Sequence, residues 1–223
     1  MGMETGPGEV PVGDLGKRTR PGAALLPVFN IPDRATIGYE VLPRPDELAP
    51  PLDVVRRALE VAQYTSPAIL LIPFGGVARL EDFDPRGLAR EFGVAPSEVA
   101  WVVSSDLCTD TALAQRVADL RSVGFRCALE AHGWANAQHE CIATLRPDFL
   151  MIEPSAVQQV PDNAVARAEL AALISFTRRL DVGIIARGVD TPAVASALAT
   201  VGLQHGSGAP LSAPLVLQSE VAA

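Results

Sequence analysis

Short apolar runs recur along this chain with helix-length amphipathic stretches between them, and this alternation limits the fold more than any other feature. Strand-like runs fall at 24–29, 36–42, 69–73, 99–104, 125–129, 149–152 and 182–186, and helical patterns at 52–64, 85–92, 110–123, 135–145 and 164–180. Within 110–123, Leu113, Val117 and Leu120 share one face, Thr109 or Asp110 can cap the start, and Gly124 ends the helix. The stretch 164–180 places Leu170, Ile174, Thr177 and Leu180 on one side. Asp190-Thr191-Pro192 opens a further helix with a cap and a first-turn proline, and Gly202 closes it. Strands separated by helices of this length specify parallel β/α units. The turn at Pro32-Asp33-Arg34 joins the first two strands directly, so that pair is expected to be antiparallel. About seven or eight strands in roughly 200 residues suit a closed (β/α)8 barrel of the TIM type better than an open sheet. No G-x-G-x-x-G follows a strand to argue for a dinucleotide fold. In such a barrel the C-terminal strand ends form the functional rim.

Composition removes several function classes. A net charge of −8 argues against nucleic acid as a partner. No apolar run reaches the roughly 18 residues a membrane span needs, and the polar, glycine-rich start has no signal-peptide core, so a soluble cytoplasmic protein is expected. Cys108, Cys127 and Cys141 do not pair at zinc spacing and read as buried free thiols. The Arg-rich, Lys-poor, Ala/Pro/Gly-heavy usage points to a GC-rich bacterial genome. Residues 1–21 read as a disordered leader, 22–218 as the barrel domain and 219–223 as a tail. The only lysine, Lys17, lies in that leader, so the barrel cannot supply a lysine ammonium.

The strand ends carry an ordered series: Gly38-Tyr-Glu-Val-Leu-Pro-Arg44, Leu70-Leu-Ile-Pro73, Val102-Val-Ser-Ser105, Glu130-Ala-His-Gly133, Asp148-Phe-Leu-Met-Ile-Glu153, Ala186-Arg-Gly-Val-Asp-Thr191, and Ser207-Gly208 leading to Pro214. No single motif in it is specific, but the order and spacing together are. The series resembles the EAL family of bacterial cyclic di-GMP phosphodiesterases from about Leu25 to Pro214. Glu40-Val-Leu-Pro-Arg44 stands where the family has glutamate-alanine-leucine-x-arginine.

The resemblance implies a site at which two divalent cations, held by carboxylates and an asparagine, activate a water while a lysine assists. Of those positions this chain keeps Glu40, and Glu130 replaces an aspartate. The asparagine has become Pro73 and the next glutamate Val102 (Val103 if the register slips by one). The second aspartate of a pair is Ala131, the lysine Met151, a later glutamate Arg187 and a late glutamine Ser207. A guanidinium opposes a dication at such a place. The magnesium or manganese site is therefore expected to be lost, with no cofactor and no catalytic residue left.

The leading reading is a non-catalytic EAL-like regulatory module that acts on an unidentified protein partner; family resemblance also implies pairing as a homodimer. The alternative is a metal-independent cyclic di-GMP receptor using Arg44, which matches a phosphate-contacting family arginine, together with Arg187. Its vestigial ligand-binding positions would be Glu40, Leu42, Arg44, Glu130, Arg187 and Pro214. The least favoured reading is residual phosphodiesterase or another hydrolase; an enzyme acting on another substrate through Glu130, His132 and Glu153 would need a convergent acid/base pair, and the candidates are scattered. The bland alternatives are these: Arg187 neutralises Glu40, Glu130 or both; His132 and His139 are surface or capping groups; Trp101 and Trp134 pack; Met151 fills the space a lysine would take.

Overall fold

Eight strands close into a barrel with helices around it, as the alternation of the sequence requires. The structure, a computed structural model, describes residues 20–43, 51–65, 68–74, 83–105, 110–131, 138–208 and 215–219. Strand β1 (Arg20–Asn30) turns back into β2 (Thr36–Pro43), antiparallel from Ala23 opposite Pro43 to Phe29 opposite Thr36. Asp33 makes that turn by accepting the Ala35 N–H at 2.9 Å, the local bond that favours aspartate in turns.

The chain then runs α1 (Pro51–Thr65), β3 (Ile69–Pro73), α2 (Pro85–Glu91), β4 (Val99–Ser104), α3 (Thr111–Ser122) and β5 (Arg126–Ala131). It continues through α4 (Gln138–Leu145), β6 (Phe149–Ile152), α5 (Pro154–Val157), α6 (Ala164–Arg178), β7 (Gly183–Arg187), α7 (Pro192–Thr200), β8 (His205–Ser207) and β9 (Leu215–Ser219). Strands β2 to β8 pair in parallel sequence, and β1 closes the ring by lying antiparallel to both β8 and β2. The first strand is thus antiparallel, as its short turn to β2 implied. Two features were not anticipated: β1 begins at Arg20, and β9 pairs with its first half from Arg20 opposite Ser219 to Leu25 opposite Leu215.

Strand alternation divides the core in two. Val28, Ile69, Leu71, Ala100, Ala128, Met151 and Ile185 fill the barrel interior. Their sequence neighbours, such as Leu70, Trp101, Leu129, Leu150 and Ile184, pack outward against the helices. Helix α3 is a direct product of its sequence. Asp110 accepts the N–H groups of Ala112 and Leu113 at 2.9 and 3.1 Å, and Leu113, Val117 and Leu120 are buried. Each such side chain contributes about 1.5–3 kcal/mol on burial, and the cap about 1 kcal/mol. At the far end of the barrel, Asp148 accepts from Cys127 N at 2.8 Å and from Arg121 Nη1 at 2.7 Å, tying β6 to β5 and α3.

Two expectations are corrected. Leu180 lies beyond the end of α6 and is 49% exposed. The chain leaves the helix through a turn at Asp181 (φ 58°), with Val182 N donating to Thr177 O, so helical spacing no longer places residue 180 on the buried face. Cys127 is the buried free thiol expected, but Cys141 is disulfide-bonded, to a partner outside the described residues.

Candidate functional site

Arg187 organises the barrel mouth. It ends β7, whose inward positions are Gly183, Ile185 and Arg187, while Ile184 and Ala186 face the helices. Directly after it the backbone turns through Gly188 at φ 73°, where a Cβ would stand 2.6 Å from the Pro154 ring. Only glycine meets both conditions without strain, and that turn fixes where the arginine leaves the strand.

From there Arg187 Nη2 reaches Glu40 Oε1 at 2.8 Å, and Nη1 is bonded to Glu130 Oε1. Glu40 projects inward from β2, whose neighbours Tyr39 and Val41 belong to the outer core. Gly38, one inward step below, admits no side chain: a Cβ would sit 2.0 Å from Ile69 O. The second oxygen of Glu40 accepts a long hydrogen bond from Ser207 Oγ at 3.4 Å. Four strands, β2, β5, β7 and β8, are thereby linked across the mouth by one guanidinium, two carboxylates and a hydroxyl.

The group is graded in exposure. The Glu40 side chain is 5% exposed, against 22% for Arg187 and 29% for Glu130. Burial is the main reason that the Glu40 carboxyl is held above its ordinary pKa, with Glu130 adding to the rise; Arg187 and Ser207 work in the opposite direction without cancelling it. One arginine shared between two carboxylates leaves its fork committed on both sides.

Of the remaining positions in the series, Ser104 lies beside Glu130 on the neighbouring strand and Glu153 follows β6 half-buried, whereas the others named below supply no side-chain polarity. Pro73 ends β3 and has no side-chain acceptor; it pairs with Val102, which is half-buried and packs against the barrel interior. Val103 belongs to the outer core, so of the two registers it is Val102 that faces the cavity. Ala131 also faces outward, on the opposite side of β5 from Glu130. Met151 is fully buried among the interior apolar residues. Among the described residues, no group of three or more His, Cys, Asp and Glu side chains converges.

Of the proposed ligand-binding positions, Glu40, Glu130 and Arg187 come together. Leu42 lies two residues beyond Glu40 on β2, half-buried opposite Ala24, and Arg44 and Pro214 lie outside the described residues. His132 and Trp134 also lie outside them, as does the side chain of His139. Trp101 is a packing residue, its ring 5.5 Å from Phe74 and Phe83 and 5.9 Å from Phe125. Sequence reasoning treated Ser207 only as a replaced glutamine and missed its bond to Glu40. The signal was the need for β8 to pair with both β7 and β1, which turns Ser207 inward beside Val28 and Arg187.

The family model described as EAL domain matches residues 88–214. No curated protein matches the chain. Among solved structures, the EAL enzyme Bd1971 in its cAMP and cyclic-di-GMP bound form superposes with a TM-score of 0.76 at 16% identity, covering 87% of this chain and 62% of that one. The chain therefore spans less than two thirds of that protein. The EAL domain of Mycobacterium smegmatis DcpA gives a TM-score of 0.76 at 21% identity, covering 87% of this chain and 91% of the other. Klebsiella pneumoniae BlrP1, in a manganese/cy-diGMP complex, gives 0.79 at 18% identity over 93% of this chain and 58% of that one. At these identities the likeness carries the fold.

Proposed function

Because this chain belongs to the EAL domain family, we propose that it is a non-catalytic member, a regulatory module of cyclic di-GMP-related signalling that acts by binding another protein. The observation that carries this reading is the bonding of Arg187 to Glu40 and Glu130 together. A pair of divalent cations needs several oxygen donors converging on a small, negatively charged space. At this mouth the two carboxylates are already turned toward a guanidinium, and Pro73, Val102 and Met151 offer no side-chain oxygen. The donors do not fit two such ions.

The persistence of the barrel around this altered mouth supports a binding role. Its interior remains filled and its turns remain geometrically exacting, as at Gly38 and Gly188. A scaffold kept in this condition still presents a defined outer surface to a partner.

Cyclic di-GMP as a ligand without metal is the second reading. It draws support from the complexes of Bd1971 and BlrP1 with that nucleotide. The double engagement of Arg187 counts against it, because a phosphate would have to displace one carboxylate to gain that guanidinium. Incubation of the purified protein with cyclic di-GMP and magnesium or manganese tests the leading reading. The nucleotide should remain intact; turnover that Glu40→Ala abolishes would overturn the proposal. Calorimetry without metal separates the second reading, which requires saturable binding weakened by Arg44→Ala.

A further inference from the structure

We propose that the groove between α2 and α3, in the helical layer outside the barrel, is a second binding site whose ligand is a small amphipathic anion, a ring-sized apolar body with one acidic head group. The groove holds about 340 Å3, within the range of about 300–1,000 Å3 found for small-molecule sites. Phe74, Phe83, Pro85 and Leu120 form its apolar wall, and Val123 stands 36% exposed at its edge. Two phenylalanine rings with a leucine opposite suit a flat apolar body better than a chain of polar groups.

The charged groups on the rim are not equivalent. Asp84 already caps α2 by accepting the Gly87 N–H at 2.9 Å, and Asp119 accepts from the Gln115 amide at 2.9 Å. Arg86 lines the same groove, is exposed, and has no ion-pair partner among the described residues. Arg116 brings a second guanidinium to the wall. Arg86 is thus a cation without an ion pair among the described residues, on a protein of net charge −8, beside two carboxylates that each already accept a hydrogen bond. Guanidinium recognition of a carboxylate, sulfonate or phosphate follows from its planar fork.

A second observation lies behind the wall. Trp101 touches both groove phenylalanines, each ring 5.5 Å away, and its Nε1 is buried without an acceptor among the described residues. Native interiors rarely leave such a donor unpaired. The groove lies on the opposite side of the sheet from Arg187, so occupancy here does not require the mouth.

The probe is 1-anilinonaphthalene-8-sulfonate, which has an aromatic body and one anionic head. It is titrated into the full chain carrying Trp134→Phe, so that Trp101 is the remaining tryptophan. One probe should bind per chain, quench Trp101, and bind more weakly as salt is raised. Arg86→Glu should weaken binding about tenfold, as expected for reversing a charge-assisted contact, and Val123→Glu should also weaken it. Both residues are exposed, so thermal melts should match the parent and show that the fold is intact. Non-saturable binding, or saturable binding that Arg86→Glu leaves unchanged, overturns the proposal.

Discussion

Replacing Arg187 by methionine strips Glu40 and Glu130 of the guanidinium that holds them both, while keeping an unbranched side chain of similar reach. Breaking a buried ion pair from one side costs about 3–5 kcal/mol. The lower figure applies here, since Glu130 is 29% exposed and can turn to water while Glu40, 5% exposed, cannot. A loss of about 3 kcal/mol corresponds to roughly 6–12 °C in Tm for a domain of this size. The penalty should depend on pH in a fixed direction. The Glu40 pKa lies above its unfolded value even with Arg187 present, so its folded form binds the proton more tightly. Its contribution to stability is fully present below the unfolded value, about 4.3, and is lost as pH rises through the folded value. Without Arg187 that folded value climbs further, and more stability is lost at alkaline pH. Urea denaturation of both proteins at pH 5 and pH 8 reads the difference directly. The gap between parent and Arg187→Met should be wider at pH 8, and adding Glu40→Gln should narrow it. A variant as stable as the parent at both pH values, or a gap that Glu40→Gln leaves unchanged, would refute the reasoning.

Two further outcomes follow from groups away from the mouth. Burial pushes the Cys127 thiol up to about 12, so at pH 8 it is protonated and enclosed; iodoacetamide followed by peptide mapping should leave it unmodified until denaturant is added. Asp148→Ala removes the acceptor of both Cys127 N and Arg121 Nη1, leaving a strand amide unpaired. The expected cost is about 1–3 kcal/mol, measured by denaturant midpoint at constant slope, and a change within error would contradict the role given to that link.

How far the sequence could be read depends on how local each feature is. Helix α3 was legible because its cap, its apolar face and its terminating glycine all lie within one short stretch. The antiparallel start was legible because the turn between β1 and β2 is too short for a crossover. Strand β8 spans only His205–Ser207 and shows no alternation of its own; its neighbours β1 and β7 define it. Strand β9 depends likewise on the first half of β1. The choice between Val102 and Val103 was open in one dimension and is decided by which face of β4 meets the barrel interior. The mouth shows the same limit more sharply. Glu40, Glu130, Arg187 and Ser207 are separated by long stretches of chain, and only barrel closure brings two carboxylates within reach of one guanidinium. Cys141 was misread because spacing alone cannot distinguish a buried thiol from one half of a disulfide.

The reading as a whole turns on what the mouth can hold. Manganese titrated into the purified protein, followed by the paramagnetic signal of the free ion, measures this without a substrate. Binding should stay weak and non-saturable, and Arg187→Met should not be needed to explain any of it. Uptake of two ions per chain, with the pair lost when Glu40 and Glu130 are both replaced by glutamine, would show that the carboxylates release the arginine for metal, and the account would fail.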